Sequence, residues 1–156
     1  MNVLMMTHVM YPMGTWYRAL NLAYALGRRG HSVSIVRGGM QRLVPLSEQA
    51  PGVTIWAFPR LWGSSLFHLG TRMPWDLAAR VALQVPRRFD VVHGFTHHLN
   101  ALFPALAGRW VNPAALIVGD RDDLWTQGGL YGDGASSLLQ RATFSPVEPL
   151  LADRAA

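Results

Sequence analysis

The stretch VLMMTHVMYPMGTWYRALNLAYALGRRGHSVSIV, residues 3–36, contains a complete structural unit. Its first four residues form an apolar run that ends in loop-forming residues, which predicts a buried strand followed by a loop. Thr15 then caps a helix whose apolar side chains recur every three or four residues. Gly30 ends that helix, and alternating apolar residues and serines at 31–36 predict a second strand. Strand, helix and strand form a βαβ unit, which implies a parallel sheet.

The same alternation of strands and helices continues along the chain. Further strands are predicted at 53–58, 89–95 and 114–120, and further helices at 74–85, at 99–108 and, in places, at 134–155. Prolines interrupt the last two of these helices. The sequence therefore predicts a single-domain α/β fold with a doubly wound, mostly parallel, Rossmann-like sheet of about five strands.

Composition excludes several classes of protein. The net charge is +5, but the 14 basic residues, all arginine, are spread along the 156-residue chain, which argues against nucleic-acid binding. With no cysteine, the chain has no disulfide, thiolate metal site or thiol nucleophile. The N-terminus lacks the features of a signal peptide, and no apolar run approaches the ~18–20 residues of a membrane helix. A cytoplasmic protein is expected, and contact with a membrane surface stays open.

Sheets of this type bind ligands beyond the carboxyl ends of their strands, which singles out loops 8–15, 59–73, 94–98 and 119–133. The first loop leads into a helix N-terminus, where free N–H groups favour an anion and Gly14 permits close approach. Arg18 lies in the first turn, where the helix dipole disfavours a cation by about 0.3–1 kcal/mol, and a negative ligand would reverse that penalty. The dinucleotide and P-loop fingerprints are absent.

The stretch VGDRDDLWTQGG, residues 118–129, concentrates three of the nine acidic residues in four positions. Asp120, Asp122 and Asp123 suggest a metal site, a catalytic site or a turn. His93 and His97 follow another strand and add candidate ligands, but the ligand spacing of a metal site is absent and Arg121 would compete for the carboxylates. Loop 59–73 is rich in apolar residues, so it forms an acceptor pocket, touches lipid or covers the sheet.

These motifs together resemble the N-terminal domain of the retaining GT-B glycosyltransferases, the group that includes glycogen synthases and mannosyltransferases. Residues 3–36 are similar to the family opening of strand, Pro/Gly loop and a helix ending L-x-x-R-G-H-x-V. FDVVHGF resembles D-V-V-H-x-H, LIVGDRDDLW resembles V-x-T-x-H-D-L-W, and SPVEPLLADRAA resembles the helix that follows. The likeness extends over nearly the whole chain.

The resemblance implies that residues 1–156 form the acceptor-side half of such an enzyme. The intact enzyme would transfer a hexose from a nucleoside-diphosphate sugar with retention, and it would use no cofactor and no metal. A C-terminal donor domain with an E-x7-E motif would complete it. The two glutamates, Glu48 and Glu148, are too far apart to form that motif. The chain is therefore expected to be a fragment that is inactive alone.

The resemblance also implies roles for individual residues. Asp122 aligns with the family's histidine near the donor sugar, so it is the first catalytic candidate and Asp120 is the second. The expected substrate-binding residues are Gly14, Thr15, Arg18, His93, His97, Asp123 and Trp125. Two other hypotheses remain: a standalone module that binds an anionic small molecule or a partner subunit, and a metal-dependent enzyme. The sugar, the acceptor and the oligomeric state stay open.

Overall fold

A computed structural model describes residues 1–7, 14–40, 44–47, 50–59, 74–95 and 99–120. The strands are β1 (Asn2–Thr7), β2 (Ser32–Met40), β3 (Val44–Ser47), β4 (Val53–Pro59), β5 (Val91–Phe95) and β6 (Leu116–Asp120). The helices are α1 (Gly14–Arg28), α2 (Pro74–Ala82) and α3 (Leu99–Ala107), and α3 is followed by a 3-10 turn, Gly108–Trp110. The helix predicted in 134–155 lies outside the described residues.

The strands form one sheet in the order β3-β4-β2-β1-β5-β6. β1 pairs in parallel with β2 on one side and with β5 on the other. β4 and β6 extend the parallel arrangement outward, and β3 adds an antiparallel edge strand beside β4. The predicted doubly wound, mostly parallel α/β fold is confirmed.

The sheet buries a separate apolar layer on each of its two faces, because side chains alternate along every strand. On the face that we call the α1 face, the buried cluster consists of Val3, Met5, Trp16, Ala19, Ala23, Val33, Ile35, Val53, Ile55 and Phe95. On the opposite face, which we call the α2–α3 face, it consists of Leu4, Met6, Val36, Phe89, Val92, Ala101, Ala105, Ala115 and Ile117. Helices on both faces leave the strand ends as the accessible edges of the sheet.

Helix α1 follows the predicted pattern and ends as predicted. Its buried side includes Trp16, Ala19 and Ala23, the positions that the spacing predicts. Gly30 has a φ of 82°, and the N–H of His31 donates to the carbonyl of Leu26, which closes the helix end. A left-handed residue at this position is the usual task of glycine. The helix begins at Gly14, so the predicted cap, Thr15, lies inside the first turn instead.

Several boundaries differ from the prediction, since β5 begins at Val91 and β6 at Leu116, each two residues later than predicted, and other changes are larger. β2 continues to Met40, past the predicted end at residue 36, because pairing with β4 carries the strand through the glycines at 38 and 39. The short strand β3 was not predicted, since its four residues carry little pattern of their own. Helix α2 ends at Ala82, before the predicted end at residue 85, and residues 83–86 continue as turns. In the described part of the chain, no helix is long and apolar enough to cross a membrane.

We predict that Gly27→Ala destabilises the fold. A Cβ there would lie 2.6 Å from the carbonyl oxygen of Pro51 and 3.0 Å from Cγ2 of Val53, so the helix would have to move away from the sheet. Overpacking of this kind costs about 1–3 kcal/mol, more than the gain of about 0.5–1 kcal/mol from replacing a helical glycine. Urea unfolding measures the change.

Gly14→Ala is the matched control for Gly27→Ala. A Cβ at Gly14, in the same helix, meets no atom of the described residues within 4 Å. We therefore expect its free energy of unfolding to be equal to or slightly above that of the wild type. Equal stability of the two variants would contradict the close approach of α1 to the 51–53 segment.

Candidate functional site

The candidate site lies at the carboxyl ends of β1 and β5, where the strand order reverses. Successive strands lead outward from β1 in one direction and outward from β5 in the other. In doubly wound sheets this switch point opens a crevice that receives ligands. β1 ends at Thr7, β5 at Phe95 and β6 at Asp120, and helix α1 begins at the same edge with Gly14. We call this edge the ligand edge.

An ion pair joins two of the predicted site residues across the ligand edge. Nη2 of Arg18, on α1, lies 2.7 Å from Oδ2 of Asp120, at the end of β6. The Arg18 side chain is 42% exposed and that of Asp120 is 28% exposed. A pair this accessible contributes only about 0–1 kcal/mol to stability, and both charges can be reached by a ligand.

Two aromatic side chains of β5 lie next to the Arg18 guanidinium of the ion pair. The Phe95 ring is buried, and the guanidinium carbon of Arg18 lies 5.7 Å from its centroid, within the range of a cation–π contact. His93, two residues earlier on the same side of β5, stacks on Phe95 with ring centroids 4.0 Å apart and an interplanar angle of 23°. The stacked rings thus fix the position of the guanidinium.

His93 is held in its neutral form. Burial lowers its pKa below the ordinary 6.5; Asp120 opposes this shift by favouring the imidazolium, and Arg18 adds to it. Its Nε2 atom is buried and meets no hydrogen-bond partner among the described residues. A neutral imidazole can donate from one ring nitrogen and accept at the other, so Nε2 is suited to a neutral polar group.

A second guanidinium, not singled out in the sequence, lies at the same edge. Arg37 follows the predicted strand 31–36, and its guanidinium carbon is 5.2 Å from the centroid of the buried Trp16 ring on α1. Its Nε atom is buried and finds no hydrogen-bond partner within the described ranges. Its place at the carboxyl end of a predicted strand is a signal that the sequence contains, although the loop after that strand is not among the four candidate loops.

The charged side chains that the structure describes on the α1 face favour an anion at the ligand edge. Two guanidiniums, Arg18 and Arg37, lie near the start of α1, where the helix dipole is also positive. Asp120 is the carboxylate that the structure brings to Arg18. Among the described residues, no atom lies within 4 Å of a Cβ placed on Gly14, the first residue of α1, whose N-terminal N–H groups favour an anion.

The remaining candidates divide into two groups. Thr15 lies in the first turn of α1, one position after Gly14. His97, Asp122, Asp123 and Trp125 lie outside the described residues, as does almost all of loop 59–73 with its predicted acceptor or membrane contact. Among the residues that are described, no three His, Asp, Glu or Cys side chains come together as metal ligands.

Comparison with known proteins identifies one family. The family model described as "Glycosyl transferase 4-like domain" matches residues 13–156. The matched range includes every candidate site residue, from Gly14 to Trp125. A comparison with curated proteins finds no match.

We predict that the imidazole of His93 titrates below pH 6.5, because burial disfavours its charged form. The unfolded chain then binds a proton that the folded chain does not. His93 therefore contributes stability above its unfolded pKa, and this contribution is lost as the pH falls from about 6.5 towards the folded pKa. An NMR titration of the imidazole signals measures the midpoint.

Two variants test the causes of the lowered His93 pKa separately. Asp120→Asn removes the carboxylate that favours the imidazolium, so the midpoint should fall further. Arg18→Gln removes the opposing cation, so the midpoint should rise. A wild-type midpoint at or above 6.5 would contradict the burial of His93 at this edge.

Proposed function

Because this chain belongs to the glycosyl transferase 4-like family, we propose that it is the acceptor-side half of a retaining GT-B glycosyltransferase. In the intact enzyme the substrates are a nucleoside-diphosphate hexose as donor and an acceptor bound by this half. A second domain, which carries the nucleotide-binding residues, completes the cleft at the ligand edge. On this proposal residues 1–156 do not catalyse transfer alone, and the enzyme works in the cytoplasm.

The ion pair between Arg18 and Asp120 supports this proposal most directly. It provides a cation and a carboxylate 2.7 Å apart, both partly exposed, at the switch point of the sheet. A guanidinium binds phosphate oxygens through paired N–H groups, and a carboxylate accepts hydrogen bonds from sugar hydroxyls. A nucleotide sugar presents both groups close together, so one ligand can engage both partners.

On this proposal, phosphate binding depends on Arg18, Arg37 and the start of α1. On this proposal, a diphosphate that approaches Gly14 meets the N–H groups of the first helical turn and two guanidiniums. We propose that Thr15, in the same turn, contacts phosphate or acceptor. The phosphate would replace Asp120 as the partner of Arg18, which releases the carboxylate for the sugar.

The acidic segment that begins at Asp120 is proposed to stabilise the reacting carbon. Transfer of a sugar passes through a transition state with positive charge at the anomeric centre, which a nearby carboxylate stabilises. Asp122 follows Asp120 by two positions and takes the place of the family's histidine. An ionised Asp122 accepts hydrogen bonds, and it would donate one only with a raised pKa. Asp123, Trp125, His93 and His97 would line the sugar and acceptor pocket.

A second function rests on the same cationic edge. A standalone module that binds an anionic small molecule would use Arg18, Arg37 and the α1 N-terminus without any transfer step. Both proposals predict anion binding, and only the first predicts sugar transfer. A sugar-transfer assay of the two-domain enzyme that the first proposal requires therefore distinguishes them.

We predict that Arg18→Ala weakens binding of inorganic pyrophosphate to this chain by about tenfold or more, because a charge-assisted hydrogen bond is lost. Isothermal titration calorimetry measures the affinity. Arg28→Ala is the matched control, since it removes an arginine from the last turn of the same helix, at the opposite edge of the sheet. Equal losses in the two variants would show a non-specific charge effect and contradict the site.

We predict that Asp122→Ala in the intact two-domain enzyme lowers the rate of sugar transfer by about a hundredfold, the usual scale for loss of one electrostatic contact in a transition state. The assay follows release of nucleoside diphosphate from a panel of nucleotide sugars. Asp133→Ala, farther along the same segment, is the control. A rate near that of the wild type would refute the catalytic role of Asp122.

A further inference from the structure

A fully buried ion pair lies under the ligand edge, on the α2–α3 face of the sheet. Arg80, on α2, is 0% exposed, and Asp76, one turn earlier on the same helix, is 7% exposed. Nε of Arg80 donates to Oδ2 of Asp76 over 3.0 Å. Neither residue belongs to the site described above.

The Arg80 guanidinium also reaches the central strand. Its Nη1 donates to the backbone carbonyl of Thr7 over 2.9 Å. Thr7 is the last residue of β1, and it pairs with Phe95 at the end of β5. Its hydroxyl donates to the carbonyl of Val36 on β2 over 3.1 Å. Thr7 is therefore hydrogen-bonded to β2 and α2 and paired with β5. It is also the residue at which the chain leaves the sheet at the ligand edge.

Helix α2 is itself fixed in place by a buried amide. Nε2 of Gln84 donates to the carbonyl of Arg80 over 3.3 Å and to the carbonyl of Pro104, in α3, over 2.9 Å. Gln84 is 1% exposed, so these bonds are shielded from water. The backbone of α2 at Arg80 is thus linked through Gln84 to the neighbouring helix α3.

Stability alone is a weak reason for this ion pair. Two charges lose their hydration on burial, and an apolar pair of similar volume is often at least as stable. Burial raises the pKa of Asp76 above its ordinary value, although Arg80 opposes the shift, so desolvation outweighs the attraction of the partner. An apolar pair would lack one contact in particular, the bond to the Thr7 carbonyl.

We propose that Arg80 is a positioning residue that fixes the exit of β1 at the ligand edge, and that Asp76 orients it. Because Thr7 pairs with Phe95, the position of the β1 exit also affects the position of Phe95. The Phe95 ring lies against the Arg18 guanidinium, and Arg18 forms the ion pair with Asp120. The position of the β1 exit is a property of the chain without any ligand. Its importance for sugar transfer rests on the proposed function.

The test compares wild-type protein with the double variant Asp76→Leu/Arg80→Met. Urea unfolding is expected to give a stability equal to or above that of the wild type. Amide hydrogen exchange at Thr7 and Phe95 is expected to accelerate about tenfold, the effect of one lost hydrogen bond, while exchange at Leu4 on the same strand stays unchanged. The selective change at the strand ends is the signature of positioning.

Two results would overturn the proposal. A global loss of stability, with faster exchange at Leu4 as well as Thr7, would make Arg80 a structural residue. Unchanged exchange at Thr7 and Phe95 in a stable double variant would remove the positioning role. If the double variant does not fold, Arg80→Lys decides by the same two readouts, since it keeps the charge but loses the two-armed contact with Asp76 and Thr7.

Pyrophosphate affinity provides a second readout. In the folded double variant it is expected to fall severalfold, although neither substituted residue is part of the anion site. An affinity equal to that of the wild type, beside selective exchange at Thr7, would confine the effect of Arg80 to the backbone and refute its link to Arg18. Failure of wild-type protein to bind pyrophosphate would count against the proposed function, and the exchange result would still decide the positioning role.

Discussion

The pairing of β1 with two parallel neighbours, β2 on one side and β5 on the other, is the constraint on which the rest of the structure depends. A strand with neighbours on both sides and helices on both faces has no wet surface, and five of its six residues are buried. Because parallel neighbours need crossover connections, the helices must lie on the two faces of the sheet. The strand ends are therefore the accessible edges of the sheet, and the carboxyl ends of β1 and β5 meet beside Thr7.

The fold could be predicted from the sequence because its evidence is local. Short apolar runs, a helix with a regular buried face and Gly30 at its end are each visible within a few residues. The extension of β2 and the strand β3 could not be predicted in the same way. Both depend on pairing with β4, which lies later in the chain, and for β2 that pairing overrides the weak strand preference of the glycines at 38 and 39.

Individual residues of the candidate site could be predicted from the sequence, but the contacts between them could not. Arg18 and Asp120 could each be singled out, the first by its helix position and the second by its strand end. Their contact depends on the strand order, which brings β6 beside β5. Arg80 gave no signal at all, since an arginine on an amphipathic helix is expected to face water. Its burial is a tertiary property, set by the packing of α2 against the sheet and α3.

Polar side chains have different surroundings at the amino ends and at the carboxyl ends of the strands. At the amino ends, the Asp90 carboxylate accepts the N–H of Asn2 over 2.7 Å, and the Asn112 amide donates to the carbonyl of Phe89 over 2.6 Å. Those side chains complete backbone hydrogen bonding, so they stabilise the fold directly. At the ligand edge, Nε of Arg37 and Nε2 of His93 are buried without a hydrogen-bond partner among the described residues.

Folded proteins leave few buried polar atoms unpaired, because each costs about 1–3 kcal/mol. Two such atoms lie on one face of this edge, beside a partly exposed ion pair, which supports the proposal that a polar ligand binds there. Binding then recovers part of a cost that folding has already incurred. On the same proposal, an anionic ligand would supply the negative charge that favours the cationic start of α1.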